Sequence, residues 1–135
     1  MLTLKVVDST FLISLLRNDP ATVRKAEELD EEGGAATTVI NVFEVVHGVY
    51  RSMSDVHRRM EAFDRLIANF EVLRLDIEAA KRAAQISGTL VREGIEIGPF
   101  DSLIAGITLV YGAESLVTRN TSHFNRVPGL TVEEH

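Results

Sequence analysis

Two spacings of apolar residues alternate along this chain, and the switches between them mark its elements. The stretch 2–12, LTLKVVDSTFL, holds a short buried run at 4–7 that reads as a strand and stops on a carboxylate, Asp8. A helical run over 10–16 follows at once and is halted by Asn18-Asp19-Pro20. Asp19 suits an N-cap and Pro20 a first helical position, so a charged helix is expected over 21–32, closed by Gly33-Gly34. Residues 35–38 read as a second strand and 39–51 as a helix, with Ser54-Asp55 capping another that reaches about Asn69. Residues 70–75 alternate as a half-buried strand does, and Asp76 caps a long helix over 77–92. Pro99 opens a helix over 100–111 that Gly112 ends. The next strand is 115–118, and Thr131-Val132 form the last one after the Val127-Pro128-Gly129 turn.

Strands alternating with helices imply an α/β fold whose mostly parallel sheet is covered on both faces. With no repeat, low-complexity tract or linker, residues 1–135 read as one domain. The absence of cysteine excludes disulfides and thiolate metal sites. No apolar run approaches the ~20 residues of a membrane span, and no basic leader precedes the first strand, so the expected location is the cytoplasm. A net charge of −6 counts against binding nucleic acid through a general basic surface. It leaves room for an acidic metal site flanked by local arginines. The acidic blocks 27–32 and Glu133-Glu134 read as solvated helix faces and a chain end.

Ligands of open α/β sheets bind just beyond the carboxyl ends of the strands. Asp8 would stand there, unless it or Ser9 simply caps the next helix. On the helix over 39–51, Asn41, Glu44, His47, Gly48 and Arg51 share one stripe, and valines, Ile40 and Phe43 take the rest. Such a stripe is either a solvated face or a cleft wall. Its narrowness suggests a mostly buried helix, and Gly48, which costs about 1 kcal/mol in a helix interior, suggests that something approaches closely there. Asp101 falls in the first turn after Pro99, where an acid complements the helix dipole; small Ala105 and Gly106 would leave room beside it for an ion or phosphate. Asn120 follows the strand 115–118, as an N-cap of the turn 121–125 or as part of a site. Two carboxylates ~4 Å apart repel by about 4 kcal/mol at an effective dielectric near 20, so a pocket of three acids needs a cation or protons. Oxygen ligands without His or Cys favour Mg²⁺ or Mn²⁺ with waters completing the octahedron. Such ions acidify a bound water and stabilise charge on a phosphate, which is phosphodiester hydrolysis.

The segments VVDSTFLI, TVINVFEVVHG, GPFDSLIAG and LVTRNTSHFNRVPGL, in this order and spacing, resemble a PIN-domain ribonuclease of the VapC-like toxin group of type II toxin–antitoxin pairs. The resemblance covers essentially the whole chain. It implies a three-layer α/β/α fold, a Mg²⁺- or Mn²⁺-dependent endoribonuclease acting on tRNA, rRNA or mRNA, and a homodimer. It also implies inhibition by a cognate antitoxin whose peptide arm lies in the active-site groove. Asp8, Glu44 and Asp101 take the places of the family's metal-holding acids. Thr118 and Asn120 fall in the segment that supplies a fourth catalytic position, acidic or amide, and His123 stands where an acid is often found. Ser9 and Thr118 are expected to hydrogen-bond the acids or a metal water. Arg119 is a candidate for contact with phosphate or an antitoxin carboxylate, and Arg17, Arg51, Arg58 and Arg59 for steering RNA, although solvated helix charge accounts for at least half of them. His47 and His57 read as structural or surface residues. An aspartyl-phosphate phosphatase would need a second aspartate where Thr10 stands, and a phospho-receiver domain an acidic pair and a late lysine, so both are set aside. The competing reading is a catalytically silent PIN-like module that binds RNA or protein.

Overall fold

The computed structural model describes residues 4–135; Leu2 and Thr3, at the head of the first apolar stretch, lie outside the described residues. In chain order the elements are β1 (Lys5–Val7), α1 (Ser9–Leu16), α2 (Pro20–Glu31), β2 (Ala36–Thr38), α3 (Val39–Ser52) and α4 (Val56–Ile67). Then come β3 (Glu71–Leu73), α5 (Ile77–Arg92), α6 (Pro99–Val110), β4 (Ser115–Thr118), α7 (Thr121–Phe124) and β5 (Val132–Glu134). The strands form one sheet in the order β3-β2-β1-β4-β5, and every neighbouring pair is parallel rather than most of them.

Alternation along the strands produces the layers. Val6 and Leu116 send their side chains to one face, into a core with Ile86, Leu90, Ile104 and Ile107 of α5 and α6. Val7 and Val117 send theirs to the other, against Phe11, Leu12, Leu29, Val45 and Phe63 of α1 to α4. Two faces need two helical layers, so the fold is three-layer α/β/α. After β3 the chain returns to the far side of β1, so the strand order reverses between β1 and β4. That reversal opens a crevice at their carboxyl ends.

Local chemistry sets most boundaries. Asp19 accepts from Thr22 N at 3.1 Å and Asp76 from Ala79 N at 2.9 Å, each capping its helix. Asp55 does not cap α4 as its position suggests. It sits at φ +48° and its carboxylate instead pairs with Arg58 at 3.0 Å. The last strand starts later than its sequence suggests and runs through Glu133, which is not a solvated chain end. Lys5 Nζ lies 2.8 Å from Glu133 and 3.1 Å from Glu32, and Lys25 lies 3.2 Å from Glu133. Burial pushes the Glu133 carboxyl up, but hydrogen bonds from both lysines outweigh it and leave the pKa below the usual range.

Two further expectations are corrected. α3 is not mostly buried: Asn41, Val45 and Val49 face inward, while Val39, Phe43 and Tyr50 are exposed. Gly106 leaves no room beside Asp101. A methyl there would meet Ala79 O at 2.7 Å, so glycine is what lets α5 and α6 pack this closely. Among the described residues no helix is long and apolar enough to cross a membrane.

Candidate active site

Asp8 ends β1 at the strand-order reversal and is only 4% exposed. Its carboxylate does two things at once. As the N-cap of α1 it accepts from Phe11 N at 3.2 Å, and on the same oxygen, Oδ1, it accepts from Thr10 Oγ1 at 2.6 Å. Oδ2 accepts a short hydrogen bond from Thr118 Oγ1, at the end of the adjacent β4. A carboxylate offers about four acceptor directions, so Oδ2 keeps one for a further partner. Burial holds the Asp8 pKa above its ordinary value, although the Thr10, Thr118 and backbone donors pull the other way.

Glu44 reaches the same crevice from α3. Ser9 Oγ donates to its Oε1 at 2.6 Å, and Asn41 Nδ2 donates to Ser9 Oγ at 2.9 Å. Asn41 is itself fixed by Thr38, the cap of α3, whose hydroxyl donates to Asn41 Oδ1 at 2.7 Å. The Glu44 pKa is raised, first by burial and then by the charges of Asp101 and Asp8. Three like-charged groups thus face one another. Asp101, in the first turn of α6, has His123 Nδ1 at 3.0 Å, and Asn120 Nδ2 lies 3.2 Å from that same nitrogen. Asn120 N donates to Thr118 Oγ1 at 2.8 Å; the Asn120 side chain makes no cap for α7. Hydrogen bonds thus join Asp8 to Thr118 and Thr118 to the Asn120 backbone, while His123 Nδ1, which can serve only one of its two neighbours, pairs with the Asp101 carboxylate when it carries a hydrogen.

Among the described residues no three His, Asp or Glu side chains stand close enough to form a closed metal cage. Mg²⁺ asks for less, since it keeps several waters and binds one or two carboxylates. The free direction on Asp8 Oδ2, the all-oxygen donors and the repulsion of Glu44 by Asp101 and Asp8 fit such an ion.

The arginines divide. Arg17 and Arg59 line a cavity of about 330 Å³ between α1, α3 and α4, with Glu44, Gly48, Ile13, Leu16, Val45, Val49 and Ala62. Among the described residues, nothing outside its own helix turn comes within 4 Å of a methyl placed at Gly48, so none of them makes the close approach expected there; Gly48 borders the cavity instead. Arg119 points its guanidinium away from the acids, to Asp19 at 2.9 Å, while its backbone N–H donates to Thr10 Oγ1 at 3.0 Å. Arg51, in the last turn of α3, does not line the cavity, and Arg58 is occupied by Asp55. His47 stacks on Phe43 and His57 pairs with Glu61, both on the surface. Sequence reasoning missed the roles of Thr10 and Asn41. A hydroxyl two residues after Asp8 and an amide one helical turn before Glu44 were the available signals.

A family model described as "PIN domain" matches residues 5–130. The tRNA(fMet)-specific endonuclease VapC of Shigella flexneri is 32% identical over 129 residues, 96% of each chain. Among solved structures, DNA-bound VapBC from Salmonella typhimurium superposes with a TM-score of 0.87 at 30% identity, covering 99% of this chain and 98% of that one. VapBC2 from Rickettsia felis, bound to a promoter DNA fragment, gives 0.91 at 21% identity, with 98% and 99% covered, which speaks to the fold. A matching family model across nearly all of the chain, joined to an acid-ended β1 at the strand reversal, places this protein in the PIN-domain family, with the VapC proteins as its relatives.

Proposed function

We propose that this chain is a Mg²⁺- or Mn²⁺-dependent endoribonuclease and the toxin of a type II toxin–antitoxin pair, with residues 1–135 acting as one PIN domain in the cytoplasm. The observation that carries the reading is the buried Asp8 carboxylate, clamped by Thr10 and Thr118 with one acceptor direction left, beside Glu44 and Asp101. The endonuclease names of relatives that match this chain along nearly its full length support it.

In this reading Asp8 holds the cation directly, with Glu44 or Asp101 as the second carboxylate. When bound, the ion supplies a more acidic water and stabilises charge on the scissile phosphate. Ser9 and Asn41 hold Glu44 in place, Thr118 orients Asp8 with the Asn120 backbone N–H behind it, and His123 holds Asp101. Arg17 and Arg59 put positive charge beside Glu44 on an otherwise acidic protein, where an RNA phosphate or an antitoxin carboxylate would be met. The cavity they line, with Ile13, Leu16, Val45 and Val49 beside those arginines, suits an antitoxin arm of mixed apolar and charged residues. Exposed Val39, Phe43, Tyr50 and Met53 of the α3 region, with Phe100 edge-on to Phe43 at 5.5 Å, form an apolar face suited to a second copy.

The test is cleavage of total tRNA, rRNA and mRNA by partner-free protein with Mg²⁺ or Mn²⁺, with EDTA, and with Asp8→Asn. Cleavage that needs metal and disappears in the variant is expected. Cleavage that survives in Asp8→Asn would refute the site, and no cleavage with either metal would favour a silent PIN-like binding module.

A further inference from the structure

His135 lies 125 positions from Thr10 in sequence yet touches the Asp8 network. The parallel register Thr118↔Glu134 between β4 and β5 brings it there, one residue past Glu134 as Arg119 is one residue past Thr118. Its ring meets Phe11 edge-on, with centroids 4.9 Å apart and planes at 74°, and Phe11 belongs to the fully buried core under α1. Nε2 stands 3.2 Å from Thr10 Oγ1, and Nδ1 stands 3.4 Å from Thr22 Oγ1.

The proton count at Thr10 is determinate. A threonine hydroxyl has one hydrogen and two lone pairs. An ionised Asp8 only accepts, so the hydrogen goes to Oδ1 at 2.6 Å. The Arg119 backbone N–H only donates, at 3.0 Å, and fills one lone pair. One lone pair remains, and the ring nitrogen facing it must carry a hydrogen. Nε2 of His135 therefore donates to Thr10; Thr22 commits its own hydrogen to Asp19 Oδ2 at 2.8 Å, so the 3.4 Å approach of Nδ1 to Thr22 is a contact and not a hydrogen bond. Burial, and then the Arg119 charge, lower the His135 pKa to about 4, which keeps the ring neutral at neutral pH.

We infer that His135 is a positioning residue for Asp8: its Nε2–H occupies the last acceptor site of the Thr10 hydroxyl and so commits the Thr10 hydrogen to the carboxylate. The assignment rests on Asp8 being the cation-holding acid proposed above. Without the imidazole N–H, Thr10 is free to turn its hydrogen away, and Asp8 Oδ1 loses its shortest bond.

Three proteins separate this role from packing: wild type, His135→Phe, which keeps a ring against Phe11 but no donor, and His135→Gln, which keeps a donor but no ring. Partner-free samples are titrated with Mn²⁺ alone by calorimetry, assayed for kcat and KM on total tRNA, and the wild-type imidazole is followed by ¹⁵N NMR. Direct partners of metal ligands change affinity by about 10–100-fold, so one step further out His135→Phe should weaken Mn²⁺ binding and kcat by about threefold to tenfold. KM should stay unchanged, His135→Gln should recover most of the loss, and NMR should show hydrogen on Nε2 alone. Hydrogen on Nδ1, or a His135→Phe protein that binds Mn²⁺ and cleaves as wild type does, overturns the assignment by itself. Equal losses in both variants reduce His135 to packing and overturn it too. A wild type that neither binds Mn²⁺ nor cleaves RNA overturns the reading of Asp8 and this assignment with it.

Discussion

Gly48 and Gly106 are both interior to helices, and changing each to alanine is expected to move stability in opposite directions. At Gly106 the new methyl would stand 2.7 Å from Ala79 O, 2.8 Å from Ala83 N and 2.9 Å from Ala83 Cβ. None of these is the end of a flexible side chain, so α5 and α6 must separate by roughly 0.5–1 Å to restore an ordinary contact. Against rigid backbone, overpacking costs about 2–3 kcal/mol and better helix propensity returns about 1, for a net loss of about 1–2 kcal/mol. At this chain length the melting temperature should fall by roughly 3–10 °C. At Gly48 none of the described residues packs within 4 Å of the methyl, so only the propensity gain of about 1 kcal/mol applies. The melting temperature should then rise by roughly 3–5 °C. The same methyl intrudes on the cavity beside Glu44 and Arg17, so Gly48→Ala should bind antitoxin and RNA more weakly while being the more stable protein. Urea and thermal unfolding of the two partner-free variants measure the first half, and binding and cleavage assays the second. A Gly106→Ala protein as stable as wild type, or a Gly48→Ala protein less stable than it, would refute the packing reasoning. Unchanged binding and cleavage in Gly48→Ala would remove the cavity from the functional surface.

Thr118→Val keeps the shape of a fully buried side chain but strips the donor from Asp8 Oδ2 and the acceptor from Asn120 N. Mn²⁺ affinity should drop by about 10–100-fold, and calorimetry showing wild-type affinity would exclude Thr118 from the site. Asp8 and Glu44 have pKa values raised above their unfolded ones, so the stability they contribute is full below the unfolded carboxylate range and lost as pH rises through the folded values. Melting curves of metal-free protein should show that loss, with Mn²⁺ or Mg²⁺ reversing it near neutrality; a metal effect independent of pH would contradict the assignment. His135 works with the opposite sign. Its lowered pKa means stability is full above 6.5 and falls as pH drops toward about 4, a limb that His135→Phe should remove. Lys5→Met should destabilise by about 1–3 kcal/mol in urea titrations, because it strips Glu133 of one of two lysines at the half-buried β5 edge. An unchanged midpoint would make that pair neutral.

The element order and most helix starts were legible because local chemistry sets them. Asp19-Pro20 and Asp76 act within three residues of themselves, and alternation at Val6-Val7 and Leu116-Val117 needs nothing beyond strand geometry. Asp8, Glu44, Asp101 and Asn120 stood out as polar residues on or beside apolar elements, and the structure brings them around one crevice. What was not legible depends on partners distant in sequence. Glu133 looked like a solvated acid because Lys5 and Lys25, which half-bury it, are more than a hundred positions away. Gly106 reads as free space in the sequence but α5 packs against it, and Gly48 reads as a contact but none of the described residues packs against it. The one-sided exposure of α3 was not legible because Val39, Phe43 and Tyr50 are apolar yet lie on a face that the described residues leave uncovered. Arg119 sits next to the site in sequence but swings to Asp19, a choice made by the start of α2.

The strand order β3-β2-β1-β4-β5 also carries a temporal consequence. Asp8 is made before its partner: Thr118, which orients it, follows 110 positions later. β4 must then dock beside β1 across all the intervening helices. A half-made chain has β1, β2 and Glu44 but none of Asp101, Thr118 or Asn120. Non-local closure of this kind comes late in folding. A protein that cuts RNA would thereby remain inert through the synthesis of β1 to α6, arming only once β4 has been made and docked beside β1.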